Sequence, residues 1–381
     1  EAFPAYSLMV NAHFAPAIAL MMVVACGGLR VLAREAGIED GAGAAWPWGL
    51  AMALAAALLG AIQPFGLVPV FGGLGIAVAA RAASDGRRLA SAVPWRAAAW
   101  IVGAAIVAMA YPLYMQAAIR SDPLLAVWSE QNVTSSTPVW DWALSYGLIL
   151  VLAVWGCSAA FRRRSDGDFL TTGWVLVTLA GMYLPLALQR RLSIGLGIPV
   201  GLLAGMGWWR RARKCVRARA RGLVRGLIIA VSALTPIFLI VAAVTTALGA
   251  EVPNGRSWFY LSDGEWAALE WLRSRPPSQR DAVVLCAPQM GSFVPGWSGH
   301  RVVYGHPFET VNAEQREEQV RAYWTGQMSE PEQATFLQAN DVDYILIGPR
   351  ERAMGAGTRG RVEAGEIVFE KNETRIYAVS E

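Results

Sequence analysis

The chain has 381 residues, of which 55% are hydrophobic and only 16% are charged, and its mean hydropathy is +0.36. Soluble globular domains carry about 25% charged residues, so this composition excludes an ordinary soluble enzyme, a disordered chain, a collagen and a disulfide scaffold. The first 250 residues contain 20 Lys and Arg against 10 Asp and Glu, whereas the remainder contains 13 against 19. This segregation is typical of membrane topology, and we expect no nucleic acid as a partner.

Long stretches without a charged residue predict transmembrane helices. A bilayer core about 30 Å thick requires about 20 apolar residues in a helix, and the chain offers about eight such segments, give or take about two. The uncharged stretch 41–80 is too long for one helix, so it forms either two short spans or a re-entrant pair. The predicted spans lie near 14–31, 46–62, 65–80, 97–115, 142–161, 169–188, 192–209 and 226–250.

The basic residues predict which connections face the cytoplasm. One set of alternate connections contains 17 Lys and Arg, whereas the other contains only Arg120, Arg190 and Arg191. Because positive residues concentrate on the cytoplasmic side, the first set is expected inside. The residues after position 250 are then expected outside the cytoplasm. We therefore predict a multi-pass protein of the inner (plasma) membrane, with the lipid bilayer as a partner.

Residues 251–381 change in character and predict a separate domain. Ser262 precedes a helical pattern in which Trp266, Leu269 and Leu272 share one face. Further strands are predicted at 282–286, 301–304 and 343–348, helices at 313–324 and 330–339, and a hairpin from 366–369 to 374–379. The predicted architecture is an α-helical polytopic membrane domain over 1–250, followed by a C-terminal α/β extracytoplasmic domain over 251–381.

The first candidate site is Gln189-Arg190-Arg191. These cations lie outside in a short connection, against the usual charge preference, and cations held there are functional candidates. Adjacent guanidinium groups suit a phosphate or diphosphate because each can make bidentate contacts. The alternative is that they extend to water or pair with Asp122 or Glu130.

Two further polar and aromatic segments are candidates for contact with a substrate or acceptor. They contribute Asp122, Glu130 and Asn132 from the connection 120–142, and His300, Tyr304, His306 and Glu309 from the tail. Interfacial anchoring explains the aromatic residues of the first segment equally well. The histidines and Glu309 could bind a divalent metal, but their spacing is looser than a typical metal site requires. We therefore expect neither a metal nor another cofactor.

Several strings in these segments resemble bacterial polytopic membrane glycosyltransferases. These strings are Trp128-Ser129-Glu130-Gln131-Asn132, Tyr183-Leu184-Pro185 with Gln189-Arg190-Arg191, Gly299-His300-Arg301-Val302 and Tyr304-Gly305-His306-Pro307-Phe308-Glu309-Thr310. The similarity is to the GT-C-like superfamily, whose members take a sugar from a polyprenyl-phosphate donor, and more narrowly to uncharacterised proteins of Chloroflexi-type bacteria. It covers most of the chain.

The resemblance implies a polyprenyl-phosphate-linked sugar as donor, phosphate binding by Arg190 and Arg191, and acceptor contact by the external domain. The superfamily's catalytic carboxylate lies in the first outside loop. The chain begins at Glu1 rather than at Met, so we expect a fragment or processed chain that starts beyond that loop, and no catalytic residue is assigned. The alternatives are a membrane scaffold or assembly subunit that binds a protein partner and, less favoured, a transporter.

Overall fold

The computed structural model describes residues 11, 13–35, 44–84, 94–185, 188–249, 260–276, 281–355 and 365–379. The chain divides into two compact units. The first contains 1–122 and 132–241, and the second contains 123–131 and 242–381. The predicted domain boundary at 250/251 lies outside the described residues, as do Arg87 and Arg88 of the predicted cytoplasmic connections.

The described residues up to Gly249 form helices and their connections. Its α-helices in chain order are α1 (Phe14–Glu35), α2 (Trp46–Ile62), α3 (Leu67–Ser84), α4 (Trp95–Ser121), α5 (Pro123–Gln131), α6 (Val139–Arg163), α7 (Asp166–Gly181), α8 (Gly197–Arg210) and α9 (Arg221–Gly249). Short 3-10 turns at Pro64–Gly66 and Gln189–Ser193 precede α3 and α8.

Among the described residues, five helical segments are long and apolar enough to cross a membrane. They are Phe14–Glu35, Pro64–Ala83, Trp95–Ser121, Val139–Arg163 and Ala218–Thr245. Each of the eight predicted spans contains a helix, but α2, α7 and α8 are shorter than these five. Helix α7 ends at Gly181 rather than near 188, and α8 begins at Gly197 rather than near 192. The presence of apolar membrane helices is thus confirmed, and the count of eight spans stays a prediction.

Close contact between helix backbones stabilises the first unit. Gly156 of α6 and Gly207 of α8 face each other so closely that an added Cβ would collide with the carbonyl oxygen of Leu203 or of Leu152. Small residues allow this approach, which is typical of helix packing in membranes. The close approach of α6 and α8 therefore depends on these two glycines.

Ion pairs join the helix ends that the sequence assigns to the cytoplasmic side. Arg81 near the end of α3 pairs with Asp166 at the start of α7 at 2.7 Å. Arg163 at the end of α6 pairs with Asp168 at 3.4 Å. The ends of α3 and α6 and the start of α7 therefore lie at one end of the helical unit.

The second unit contains a five-stranded sheet with the order β2-β1-β3-β5-β4. The strands are β1 (Val283–Leu285), β2 (Arg301–Val302), β3 (Val342–Ile347), β4 (Gly365–Lys371) and β5 (Thr374–Val379). Strand β1 is parallel to β2 and β3, whereas β5 is antiparallel to β3 and β4. The helices are α10 (Asp263–Arg273), α11 (Phe293–Ser298), α12 (Ala313–Thr325), α13 (Glu330–Ala339) and α14 (Pro349–Met354).

Alternate residues of the strands enter two cores on opposite faces of the sheet. Val283 and Leu285 pack in the core that includes residues of α12 and α13. Val284 packs in the other core, which contains residues of α10 and α11. Because strand residues alternate between faces, a short apolar run such as β1 supplies both cores. The α/β arrangement of the tail follows from this double burial.

Local capping explains where α10 begins. The Ser262 side chain accepts a hydrogen bond from the Glu265 N–H, and the Glu265 carboxylate accepts one from the Ser262 N–H at 2.7 Å. This reciprocal pair fixes the first turn of the helix. The sequence predicted this helix and the closing hairpin, but it missed the short α11 and α14 and treated α5 as part of a loop.

Candidate functional site

The two candidate arginines lie on the 3-10 turn Gln189–Ser193, which we call the arginine turn. Its last residues, Leu192 and Ser193, are buried, whereas Arg190 is exposed and Gln189 and Arg191 are half-buried. The turn is thus anchored in the first unit by its carboxyl-terminal half. Its cationic half remains accessible.

Neighbouring connections hold the arginine turn in place. The Arg190 N–H donates a hydrogen bond to the Thr134 carbonyl at 3.3 Å, and the Tyr183 hydroxyl donates to the Thr137 carbonyl at 2.9 Å. The Arg191 guanidinium carbon lies 5.8 Å from the centre of the Phe65 ring. Three connections that the sequence assigns to the same side therefore meet at one end of the helical unit.

The Arg191 guanidinium lies against an aromatic ring rather than beside an acid. Within the described ranges, no carboxylate forms an ion pair with Arg191, and the alternative that the arginine pair contacts Asp122 or Glu130 stays a prediction. An aromatic face attracts a cation without neutralising it. The guanidinium therefore keeps its capacity for an anionic ligand.

The residues between α4 and α6 divide between the two units. Asp122 is exposed at the end of α4, and Asn132 is buried in the first unit. Glu130 is exposed on α5, which belongs to the second unit. Their joint contact with an acceptor stays a prediction.

Gln131 attaches α5 to the loop that carries His306 and Glu309. Its side-chain amide donates to the Thr310 carbonyl at 2.6 Å, and its side-chain oxygen accepts from the Asn312 N–H at 2.9 Å. The side-chain amide therefore acts both as a donor and as an acceptor toward the same loop. Gln131 thus joins α5 to the loop 304–312 within the second unit.

The loop after Tyr304 is folded around a threonine. The Thr310 hydroxyl accepts hydrogen bonds from the N–H groups of Gly305 and His306 at 3.2 and 3.1 Å. The His306 ring accepts from the Phe308 N–H at 3.2 Å. His306 and Glu309 remain exposed, so they are accessible to an acceptor on this loop.

His300 and Tyr304 are buried rather than exposed, contrary to the expectation of acceptor contact. His300 is 1% exposed, with its Nδ1 3.2 Å from the Ser298 hydroxyl. The Tyr304 hydroxyl donates to the Glu317 carboxylate at 2.8 Å, and burial, followed by this hydrogen bond, raises the pKa of the phenol. Both side chains therefore lie inside the domain. The sequence missed this because polar residues in a Gly-rich run are typical of a surface loop.

The described residues contain no cluster of three His, Cys, Asp or Glu side chains that could hold a metal ion. His300 is buried whereas His306 is exposed. The sequence also missed Thr134, Tyr183 and Gln131 as positioning residues. Gln131 and Tyr183 lie in strings of the resemblance, but their positioning roles depend on backbone partners far along the chain, which no local pattern shows.

Comparison with known proteins gives a similarity of fold. The apo crystal structure of the Archaeoglobus fulgidus oligosaccharyltransferase matches with a TM-score of 0.51 and 12% identity, over 90% of this chain and 53% of that chain. The same archaeal enzyme, named AglB, in complex with an inhibitory peptide and a dolichol-phosphate matches with a TM-score of 0.35 and 12% identity, over 90% and 48%. The chain spans about half the length of these enzymes.

Sequence comparison adds no family. No family model matches the chain, and no curated protein matches it. The likeness to the apo oligosaccharyltransferase, at 12% identity, shows the fold alone. The chain therefore shares its fold with about half of that archaeal protein.

Proposed function

We propose that this protein is a membrane glycosyltransferase that moves a sugar from a polyprenyl-phosphate donor to an acceptor outside the cytoplasm. The similarity of fold to an oligosaccharyltransferase supports the reaction class. The bacterial plasma membrane as its location, the eight spans and the extracytoplasmic side of residues 251–381 belong to the same proposal. They are supported by composition and by the 17 to 3 distribution of basic residues.

The arginine turn is the observation that carries the proposal. Arg190 is exposed, and Arg191 is half-buried against Phe65 at one end of the apolar helices. A phosphate at the membrane surface requires fixed cations that lack a carboxylate competitor, and Arg191 meets this requirement within the described residues. Gln189 would add an amide donor. The prenyl chain would lie along the apolar helices.

In the proposed reaction, the acceptor hydroxyl oxygen attacks the anomeric carbon and forms the new glycosidic bond with inversion. The bond from this carbon to the phosphate oxygen breaks, and the acceptor proton passes to a general base. Negative charge grows on the departing phosphate in the transition state. Arg190 and Arg191 would stabilise that charge, which is the role of fixed cations in a partly desolvated site. Glu130, His306 and Glu309 are the exposed candidates for contact with the acceptor.

The test is the double substitution Arg190→Ala/Arg191→Ala, assayed for sugar transfer from a prenyl-phosphate donor. We expect turnover to fall by at least about 100-fold, because fixed charge stabilisation of a leaving group contributes at this scale. The double lysine variant should recover part of the activity, since it keeps the charges but loses the bidentate geometry.

The matched control is Arg210→Ala/Arg211→Ala, an adjacent arginine pair at the opposite end of α8. This variant should retain the turnover of the parent protein. Unchanged turnover in the Arg190/Arg191 variant would refute the proposed phosphate contact. Stoichiometric co-purification of a protein partner without any transfer would favour the scaffold instead.

A further inference from the structure

An aromatic pocket of about 510 Å³ lies in the second unit, apart from the loop of His306. Its wall includes Tyr260, Trp266, Phe293 and Trp297, and Asp263 belongs to the same lining. Trp297 and Phe293 lie on α11, which follows β1. The carboxyl ends of parallel strands are where α/β domains commonly bind ligands. The volume is within the usual range for a small molecule.

The two tryptophans of this aromatic pocket are fixed in position yet still accessible. Their ring centres are 4.5 Å apart at an angle of 50°. The Trp297 Nε1–H donates to the Glu270 carboxylate at 2.9 Å. Even so, Trp266 and Trp297 are 43% and 41% exposed. Large aromatic surfaces that are held rigidly and left open to solvent are typical of a binding wall rather than of a core.

A buried ion pair supports the other side of the aromatic pocket. Arg350, which is 2% exposed, donates to the Glu265 carboxylate at 2.8 Å, and Glu265 is 1% exposed. Arg350 also donates to the Tyr260 carbonyl, and its guanidinium carbon lies 5.7 Å from the Phe293 ring centre. One side chain thus ties α10, Tyr260 and Phe293 together, so the pocket is formed before a ligand arrives.

The charges around the aromatic pocket select a neutral ligand. Aromatic cages commonly hold a cation, but here Arg273 lies 5.6 Å from the Trp297 ring centre, and Arg350 lies close to Phe293. Each guanidinium already covers a ring face that a ligand cation would need, and each is paired with a carboxylate, Arg273 with Glu270 and Arg350 with Glu265. The Asp263 carboxylate repels an anion and would lose hydration without compensation beside a lipid chain.

A pyranose ring satisfies these constraints. Its C–H face is apolar and slightly positive, so it packs against the negative face of an indole. Its hydroxyl groups can donate to the Asp263 carboxylate and exchange hydrogen bonds with the Tyr260 hydroxyl. We propose that the aromatic pocket binds a neutral pyranose ring of an extracytoplasmic saccharide, as a glycan subsite on the acceptor side. The assignment to the acceptor rests on the proposed transferase function, whereas the pocket geometry gives the location.

The test measures saccharide binding by the full chain in lipid nanodiscs, using saturation-transfer difference NMR. The probes are the methyl pyranosides of glucose, galactose, mannose and N-acetylglucosamine. We expect saturation of the ring protons of at least one probe. Trp266→Ala should reduce this signal by more than about fivefold, because loss of an aromatic contact weakens binding at this scale.

Three variants separate binding from folding. Trp266→Phe keeps an aromatic face and should retain most of the signal. Asp263→Asn removes the charge but leaves the Ser262 cap intact, and it should weaken binding. Trp46→Ala, at an exposed tryptophan of α2 outside the pocket, should bind as the parent does.

The outcomes distinguish this inference from the proposed function. Absence of a signal from all four pyranosides, or equal signals in Trp266→Ala and the parent, would overturn the glycan subsite. Arg190→Ala/Arg191→Ala should leave pyranoside binding unchanged while it abolishes transfer. Pyranoside binding without any transfer by the parent protein would preserve the subsite and refute the transferase.

Discussion

The hydrogen bond between Tyr304 and Glu317 shows how one buried hydroxyl can depend on the charge of a carboxylate. Burial raises the pKa of Glu317, but hydrogen bonds from Arg321 and Tyr304 outweigh burial and hold that pKa below its ordinary value. The ionised carboxylate therefore stabilises the folded state at neutral pH. This contribution is present above the ordinary carboxyl pKa of 4.5 and is lost as the pH falls through the lowered pKa.

We predict that Tyr304→Phe lowers the free energy of unfolding by about 1.5 kcal/mol at pH 7, because it removes a hydrogen bond to a charged group. The difference from the parent should shrink as the pH falls below 4.5 and through the lowered pKa of Glu317, where the folded protein takes up the proton. Denaturant titrations followed by tryptophan emission across this pH range provide the measurement. In an E317Q background the same substitution should have a much smaller effect. A pH-independent loss would show that shape, not charge, sets the role of Tyr304.

At the scale of helices, α6 and α8 depend on two glycines for their contact. The Gly207 backbone meets the Leu152 carbonyl, and the Gly156 backbone meets the Leu203 carbonyl. Helix α8 also follows the arginine turn closely. A shift of α8 would therefore displace Arg190 and Arg191 as well as disturb the contact with α6.

We predict that Gly207→Ala destabilises the protein by about 1–3 kcal/mol, because the added methyl group forces two packed backbones apart. Gly205→Ala, two residues away on the same helix, meets no atom within 4 Å. It should be neutral or stabilising by up to about 1 kcal/mol, the helix preference of alanine over glycine. Denaturant unfolding and thermal inactivation in detergent measure the difference. Equal effects of the two substitutions would contradict the close backbone contact.

How far the sequence predicts each element depends on whether its signal is local. The Ser262 cap, the helix Glu330–Ala339 and the hairpin around Asn372 carry local patterns, and the structure has them where they were expected. The end of α7 at Gly181 was missed because the apolar run continues through Pro185. Hydropathy does not register that proline restricts the preceding residue and disfavours a continuous helix.

The candidate sites show the same division between local and distant signals. Arg190 and Arg191 are conspicuous because they break a charge pattern that extends through the sequence. The aromatic pocket was not predicted, since Trp266 and Trp297 lie on separate elements and only the fold brings their rings together. The burial of His300 was missed for a related reason: packing between distant elements decides it.

At the scale of the whole molecule, the proposed function requires a particular orientation across the membrane. The arginine turn and the second unit must face the same compartment, and the basic segment around Cys215 must face the other. Contacts already gather the arginine turn, the segment around Thr134 and the turn at Phe65 at one end of the helices. The ion pairs of Arg81 and Arg163 gather other helix termini. The helix termini thus form two groups, and these groups correspond to the connections that are poor and rich in basic residues.

We predict that a membrane-impermeant maleimide applied to intact cells labels Val133→Cys and Glu309→Cys, each in a background without other cysteines. Both positions are exposed in the structure. Native Cys215, retained as the single cysteine, is also exposed but should react only after permeabilisation. The Cys215→Ser variant of that protein, which contains no cysteine, measures background labelling. Labelling of Cys215 in intact cells would place the basic segment outside and contradict the proposed orientation. Opposite accessibility of positions 133 and 309 would place Arg190 and Arg191 on a different side from residues 251–381. A donor phosphate held at Arg190 and Arg191 could not then react with an acceptor bound by the second unit.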